Sequence, residues 1–205
     1  TRELAKMIRQ SGVNFEELEP ASYDSIMGES TGAAVIFGAT GGVMEAALRT
    51  VYEIVTGRPV PFDNLNILPV RGFEGVRSAK IKIEGCKPEW NFLEGVEVHC
   101  AIAHGLVNAK KVMQAVKEGK ENFHFIEVMA CPGGCLGGGG QPIPTNQSIR
   151  QKRSEAIYEE DMHMSIRKSH ENPEINMIYK DFLGEPNSHK SHELLHTHYT
   201  ERLRY

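Results

Sequence analysis

The chain has 205 residues, with 23 Lys and Arg against 27 Asp and Glu (net charge −4), 40% hydrophobic and 24% charged residues. This is the balance of one globular domain, or of one domain with an appendage, and it excludes a disordered tail, a coiled coil and a collagen-like chain. No run of about 18 uncharged apolar residues is present to span a membrane, and the mild acidity argues against nucleic acid as the main partner.

Residues 1–12 read as a helix, with Leu4, Met7 and Ile8 on one face and Gly12 ending it. Ala33 to Phe37 is a short apolar run, expected to be a buried strand, and it leads into GATGG at 38–42. A helix should follow, because Val43, Ala46, Ala47, Val51, Ile54 and Val55 form a stripe that Gly57-Arg58-Pro59 stops. Residues 60–78 read as loop. Ala79 to Ile83 alternates with Lys80 and Lys82 as a half-buried strand does. A turn-rich excursion at 84–94 holds Cys86 and Trp90; Val96 to Ala103 reads as a strand, LVNAKKVMQAVKEG as a helix, and Phe123 to Met129 as a strand. Alternating strands and helices over 33–130 predict an α/β fold with a mixed or mostly parallel sheet flanked by helices. From Ser148 the strand signals stop, and six of the nine histidines lie in a segment that reads as helices broken at Pro173 and Pro186. The expected division is therefore an α/β lobe over 1–147 and a C-terminal helical extension over 148–205.

Four unevenly spaced cysteines are too few for a disulfide scaffold and point to reduced thiols in a reducing compartment. The chain opens at Thr1 with no signal-like segment, as a trimmed piece of something longer would.

The most informative stretch is MACPGGCLGGGGQP at 129–142. Cys131 and Cys135 sit at the end of a strand, where α/β folds place functional loops. The surrounding glycines let bare backbone approach a bulky inorganic group and offer N–H donors to its sulfides. Two thiolates on such a loop suit an iron–sulfur cluster; a redox dithiol, half a zinc site and two structural cysteines are the competing readings.

Met129, Cys131, Gly134, Cys135, Gly138, Gly139, Gly140, Gln141 and Pro142 match every fixed position of M-x-C-x-x-G-C-x-x-G-G-G-Q-P, so the string resembles a signature of the iron-only ([FeFe]) hydrogenases. GESTGAAVIFGATGGVMEAALRT at 28–50, AHGLVNAKKV at 103–112 and SHENPEINMIYKDFLGEPNSHKSHELLHTHY at 169–199 extend the resemblance over essentially the whole chain. The resemblance implies one lobe of a hydrogenase catalytic domain, carrying 2H⁺ + 2e⁻ ⇌ H₂ at an H-cluster: a [4Fe–4S] cubane joined through a cysteine sulfur to a diiron subcluster. It implies that Cys131 ligates the cubane, that Cys135 ligates it and bridges to the diiron unit, and that Met129 packs its thioether there. Phe37, Gly38, Ala39 and Thr40 would line the pocket opposite Gly134, Gly138, Gly139 and Gln141, with the glycines at 137–140 acting through shape.

The T-S-C-C-P and M-P-C-x-x-K motifs that supply the family's other two ligands do not occur in this chain. The resemblance therefore implies a missing N-terminal half as partner, an H-cluster absent or incomplete in this piece alone, and an electron donor such as ferredoxin or an NAD(P)H-linked subunit. It also implies a cytoplasmic setting in an anaerobic prokaryote. A cluster-assembly or sensory relative that uses the same cysteines without H₂ chemistry, and a cluster-free structural module, are the alternatives.

Cys100 reads as buried core, and Cys86 as a loop thiol outside the ligand set. GATGG lacks the G-x-G-x-x-G and G-x-x-x-x-G-K-[ST] spacings of nucleotide loops. His189, His192 and His196 share a helical face compatible with zinc, but Ser188, Ser191, Leu194 and Leu195 fit a helix docking on the body.

Overall fold

A computed structural model describes residues 1–22, 24 and 28–202. A three-stranded mixed sheet organises it: β1 (Val76–Lys82) pairs antiparallel with β2 (Glu97–His104), and β2 pairs parallel with β3 (Phe125–Met129). The central strand β2 is covered on both faces, which is why it reads as a near-continuous apolar run. Cys100 and Ile102 face Met44, Leu48 and Tyr52 of helix α3 (Gly42–Thr56), numbered after α1 (Arg2–Gln10) and α2 (Gly32–Val35). Ala101 and Ala103 face Val112 of α4 (Leu106–Lys117). On β1 the exposed Lys80 and Lys82 alternate with the buried Ala79 and Ile81, as the sequence pattern requires.

The expected strand at 33–37 is instead α2 followed by a 3₁₀ turn at Ile36–Gly38. The Thr31 hydroxyl accepts the Ala34 N–H at 3.2 Å, an N-cap that commits the segment to helix. Ala33 and Ile36 are both fully buried, against Ala46 of α3 and Tyr158 of the tail. A short apolar run covered on all sides carries no period by which sequence distinguishes the two conformations.

The tail continues as α5 (Gln147–His163), α6 (Pro173–Ile178) and α7 (His189–Leu195), with a single π-helical turn at Tyr179–Leu183. Pro173 starts α6 rather than breaking a helix, since the first helical position needs no N–H. Leu194 and Leu195 are 54% and 53% exposed, and the buried Ser191 bonds back to Glu185 O and Ser188 O in the turn that starts α7, so the leucines do not pack into the body as expected.

A buried charge network ties tail to body. The Arg49 guanidinium on α3 donates to both Asp161 oxygens at 2.8 Å and to Glu45 Oε1 at 2.7 Å. All three side chains are fully buried. Arg167 closes on Asp161 at 2.6 Å and Arg71 on Glu45 at 2.6 Å, so neither carboxylate has a spare lone pair facing apolar wall. A Cβ at Gly32 would stand 2.1 Å from Asp161 Oδ1; only glycine lets α2 pass this close. Burial alone would push the Asp161 carboxyl up, but Arg49 and Arg167 outweigh it and hold it below the usual carboxylate range.

A group with a depressed folded pKa contributes stability above its unfolded pKa and loses it as pH falls through the folded value. Wild type should therefore lose stability below about pH 4, and Asp161→Asn should flatten that acid limb. At neutral pH the substitution leaves Arg49 only Glu45, which it shares with Arg71, and takes the carboxylate from Arg167; it should cost about 3 kcal/mol, read from urea denaturation.

Candidate functional site

Strands β2 and β3 run parallel, so their C-terminal ends meet at one edge, with His104 opposite Met129. The cysteine loop leaves from that edge and turns through a 3₁₀ segment at Cys135–Gly137. The 38–41 segment runs alongside: Ala39 bridges Gly134 in antiparallel fashion, and Thr40 N–H donates to Gly133 O at 3.2 Å. The structure thus brings Met129, Gly134 and the cysteine loop together with Gly38, Ala39 and Thr40. The Met129 sulfur and Gly38 O would stand 2.7 and 2.9 Å from a Cβ at Gly134, and Thr40 N also 2.9 Å from it. Phe37 flanks them with its ring 46% exposed.

Both cysteines are free thiols, Cys131 partly buried and Cys135 exposed. They flank Gly138: a Cβ there would stand 3.7 Å from both Cys131 Sγ and the Cys135 Cα. Gln141 Nε2 donates to Cys135 O at 3.1 Å and pins the far side of the turn. The protein neighbours of the glycines at 133–139 differ from one position to the next. A Cβ at Gly138 meets nothing nearer than 3.4 Å, and one at Gly139 nothing within 4 Å. The tight positions are Gly134, Gly133 and Gly137.

Three side chains that sequence reasoning missed, or left as ordinary core, hold this arrangement. Glu127 on β3, buried, accepts Gly41 N–H at 2.6 Å and Met44 N–H at 2.8 Å, satisfying the N-terminal amides of α3 from another strand. A phosphate at GATGG would need those same amides. Arg77, also buried, donates to Thr40 O and Oγ1 at 3.1 Å, to Val70 O at 3.2 Å and to Glu74 O at 2.6 Å. Burial lowers its pKa and the charge of Glu127 opposes the shift. His104 Nδ1 accepts Gly133 N–H at 3.1 Å while Nε2 lies 3.1 Å from Phe73 O, which places the ring proton on Nε2. A charged residue at an inward strand position was the one signal available for Glu127 and Arg77.

Cys100 is fully buried and burial pushes its thiol up to about 11, as a core cysteine should behave. Cys86 sits in the loop after β1, its N–H donating to Glu94 Oε2 at 2.7 Å; partial desolvation and then Glu94 raise its thiol pKa. On the tail, His192 and His196 place their Nδ1 atoms 2.5 Å apart with rings crossed edge to face. Glu53, His170 and Glu171 converge as metal ligands could, but the Lys168 ammonium sits between the carboxylates at 2.7 and 2.6 Å and takes the place of a cation.

Gly134 has φ +84° besides its crowded Cβ position. Gly134→Ala should therefore destabilise the protein by about 1–3 kcal/mol. Gly139→Ala, opening onto empty space, should be neutral within about 0.5 kcal/mol. Thermal denaturation of the two variants checks the contrast.

Residues 1–139 match the family model "iron only hydrogenase large subunit, C-terminal domain", and residues 147–202 match "iron hydrogenase small subunit". The chain is 47% identical over its whole length to the NADP-reducing hydrogenase subunit HndD of Solidesulfovibrio fructosivorans, covering 33% of that protein. It is 39% identical over 97% of its length to iron hydrogenase 1 of Clostridium pasteurianum, again covering 33%. The cytosolic Fe–S cluster assembly factor narfl of Xenopus tropicalis is 27% identical over 97% of the chain. Among solved structures, an [FeFe]-hydrogenase HydA1 of Chlamydomonas reinhardtii superposes with a TM-score of 0.75 at 42% identity, over 96% of this chain and 53% of that one. The chain spans about a third of the length of the curated hydrogenases it matches. The fold, the cysteine loop and the tail together place the chain in the iron-only hydrogenase family, with the C-terminal domain of the large subunit and the small-subunit segment on one polypeptide.

Proposed function

We propose that this chain is the C-terminal half of an H-cluster domain and that Cys131 and Cys135 supply two of its four cysteine ligands. The observation that carries the reading is two free thiols converging on one glycine loop at the strand ends: a Cβ at Gly138 would stand 3.7 Å from both Cys131 Sγ and the Cys135 Cα, and Cys135 and Gly139 are exposed beside it. Thiolates are the soft donors that iron–sulfur sites require. Two donors fit half of a cubane's ligand set; the other two belong to a complementary segment, and the covered share of the relatives leaves room for one.

In this reading Cys131 ligates the cubane, and Cys135, the more exposed thiol, ligates it and links to the diiron unit. Met129 presents a polarizable thioether from the strand end, and Phe37, Gly38, Ala39 and Thr40 form the opposite wall. Gly134, Gly138, Gly139 and Gln141 shape the loop around the cysteines. When bound, the cluster supplies reversible 2H⁺ + 2e⁻ ⇌ H₂. The chain's own contribution is to hold the two sulfurs on a fixed turn and to wall the site: Arg77 and Glu127 lock the 38–41 segment, and His104 locks Gly133. The same reading divides the chain into a lobe over 1–147 and a small-subunit-like extension over 148–205. It puts the protein in the cytoplasm, with a ferredoxin or an NAD(P)H-linked subunit as electron donor. Among the described residues no helix is long and apolar enough to cross a membrane.

A second reading, a cluster protein without H₂ chemistry, is favoured by the assembly-factor relatives. The higher identity to hydrogenases and the GQPIP and SHELLHTHY strings support the first.

Anaerobic reconstitution of this chain alone with iron and sulfide should give little monomeric [4Fe–4S] cluster, and Cys86→Ser and Cys100→Ser should change nothing. With the complementary segment and a diiron unit added, infrared bands of CO and CN⁻ and H₂ evolution should appear. Cys135→Ser should abolish both, because an alkoxide bridges low-spin iron poorly, while Cys131→Ser should retain part of the cluster. A loaded cubane with no CO and CN⁻ bands would favour the assembly-type reading.

A further inference from the structure

The tail helix α5 brings two arginines onto the cysteine loop, and their roles differ. Arg153 is committed to backbone, donating to Leu136 O at 2.7 Å and to Pro142 O at 2.9 Å. Arg150 lies across the loop itself. A Cβ at Gly133 would stand 2.9 Å from Arg150 Cδ, and one at Gly137 2.8 Å from it. Gly133 lies midway between Cys131 and Cys135, and Gly137 lies two residues beyond Cys135. Two Cα steps of about 3.8 Å, plus the short distance from glycine to stem, put the stem within about 12 Å of both cysteine Cα atoms. The absent Cβ atoms at these two glycines are what admit it.

The half-buried guanidinium has one N–H without a protein partner among the described residues. Arg49, Arg71 and Arg167 each meet a carboxylate. Arg150 donates one N–H to the Gln147 amide oxygen at 3.2 Å, and its Nε is buried with no acceptor among the described residues. Native structures seldom leave a buried cationic N–H unpaired without a function. An anionic group on the adjacent loop would supply the missing counter-charge.

We propose that Arg150 is a positioning residue for the cluster held at Cys131 and Cys135, and that its charge sets the cluster's reduction potential. The inference rests on the cluster reading above. A cubane ligated by thiolates is anionic and gains a further negative charge with each electron accepted. A fixed cation behind the loop stabilises the reduced state more than the oxidised one and raises the potential. The small-subunit segment would then tune the large-subunit site without providing a ligand.

The test uses this chain assembled with the segment carrying the other two cysteine ligands, loaded with iron and sulfide alone so that activity plays no part. Dithionite supplies one electron per cubane, and the titration is followed by electron paramagnetic resonance. Arg150→Met should shift the cubane potential to more negative values, Arg150→Lys should stay close to wild type, and iron content should be equal in all three. Should the Met variant lose its cluster, Arg150→Gln carries the same comparison. A potential indifferent to loss of the charge, or shifted equally by Lys and Met, overturns the role of Arg150 while the cluster reading stands. Failure of the wild-type assembly to take up a cubane overturns both.

Discussion

An arginine sealed from water needs acceptors for its N–H groups, and in this chain Arg49 finds a carboxylate that belongs to the tail. Its two-pronged contact with Asp161 joins α3 to α5 across 112 positions of sequence. Such a pair is costly to desolvate and weak as net stabilisation, yet breaking it strands a charge in the core. Its effect is therefore on geometry. It anchors the C-terminal end of α5 on α3, while the other end of α5 carries Arg150 and Arg153 onto the cysteine loop. The small-subunit segment is held to the body by charge at one end of α5 and grips the candidate site with the other.

The site itself is built by crossing segments that share no regular secondary structure. A single bridge at Ala39 and Gly134 joins the two loops, and buried Glu127, Arg77 and His104 take up the polar backbone groups around it. Buried backbone amides of irregular segments need such partners, since no ladder supplies them. The glycines divide into two kinds accordingly: Gly133, Gly134 and Gly137 are small because protein fills the space beside them, whereas Gly139 and Gly140 border open space.

Much of this is legible in the sequence, for reasons that differ by element. The apolar stripe of α3 and the Lys alternation of β1 carry the periods of helix and strand; α3 forms where expected, and β1 starts three residues early, at Val76, inside the stretch read as loop. The cysteine loop is legible through its cysteine and glycine pattern and its place after a strand. The segment at 33–37 reads as strand and folds as helix because complete burial erases periodicity. The pairing of Arg49 with Asp161, and the reach of Glu127 to the start of α3, are invisible: charges far apart in sequence announce no partner, and their composition matches that of any solvated face. Leu194 and Leu195 mislead in the opposite sense, since these adjacent apolar residues on a helix are half exposed.

The buried contacts of Glu127, Arg77 and His104 set the cysteine loop without a bound cluster. Amide hydrogen exchange on the cluster-free protein tests it most directly, at the N–H groups of Thr40, Gly41 and Gly133, which donate to Gly133 O, Glu127 and His104. A preformed site predicts exchange slowed at least about 100-fold relative to an unstructured peptide at all three. Exchange at unstructured rates there, with β2 still protected, would show that the loop is ordered by the cluster and not by the fold.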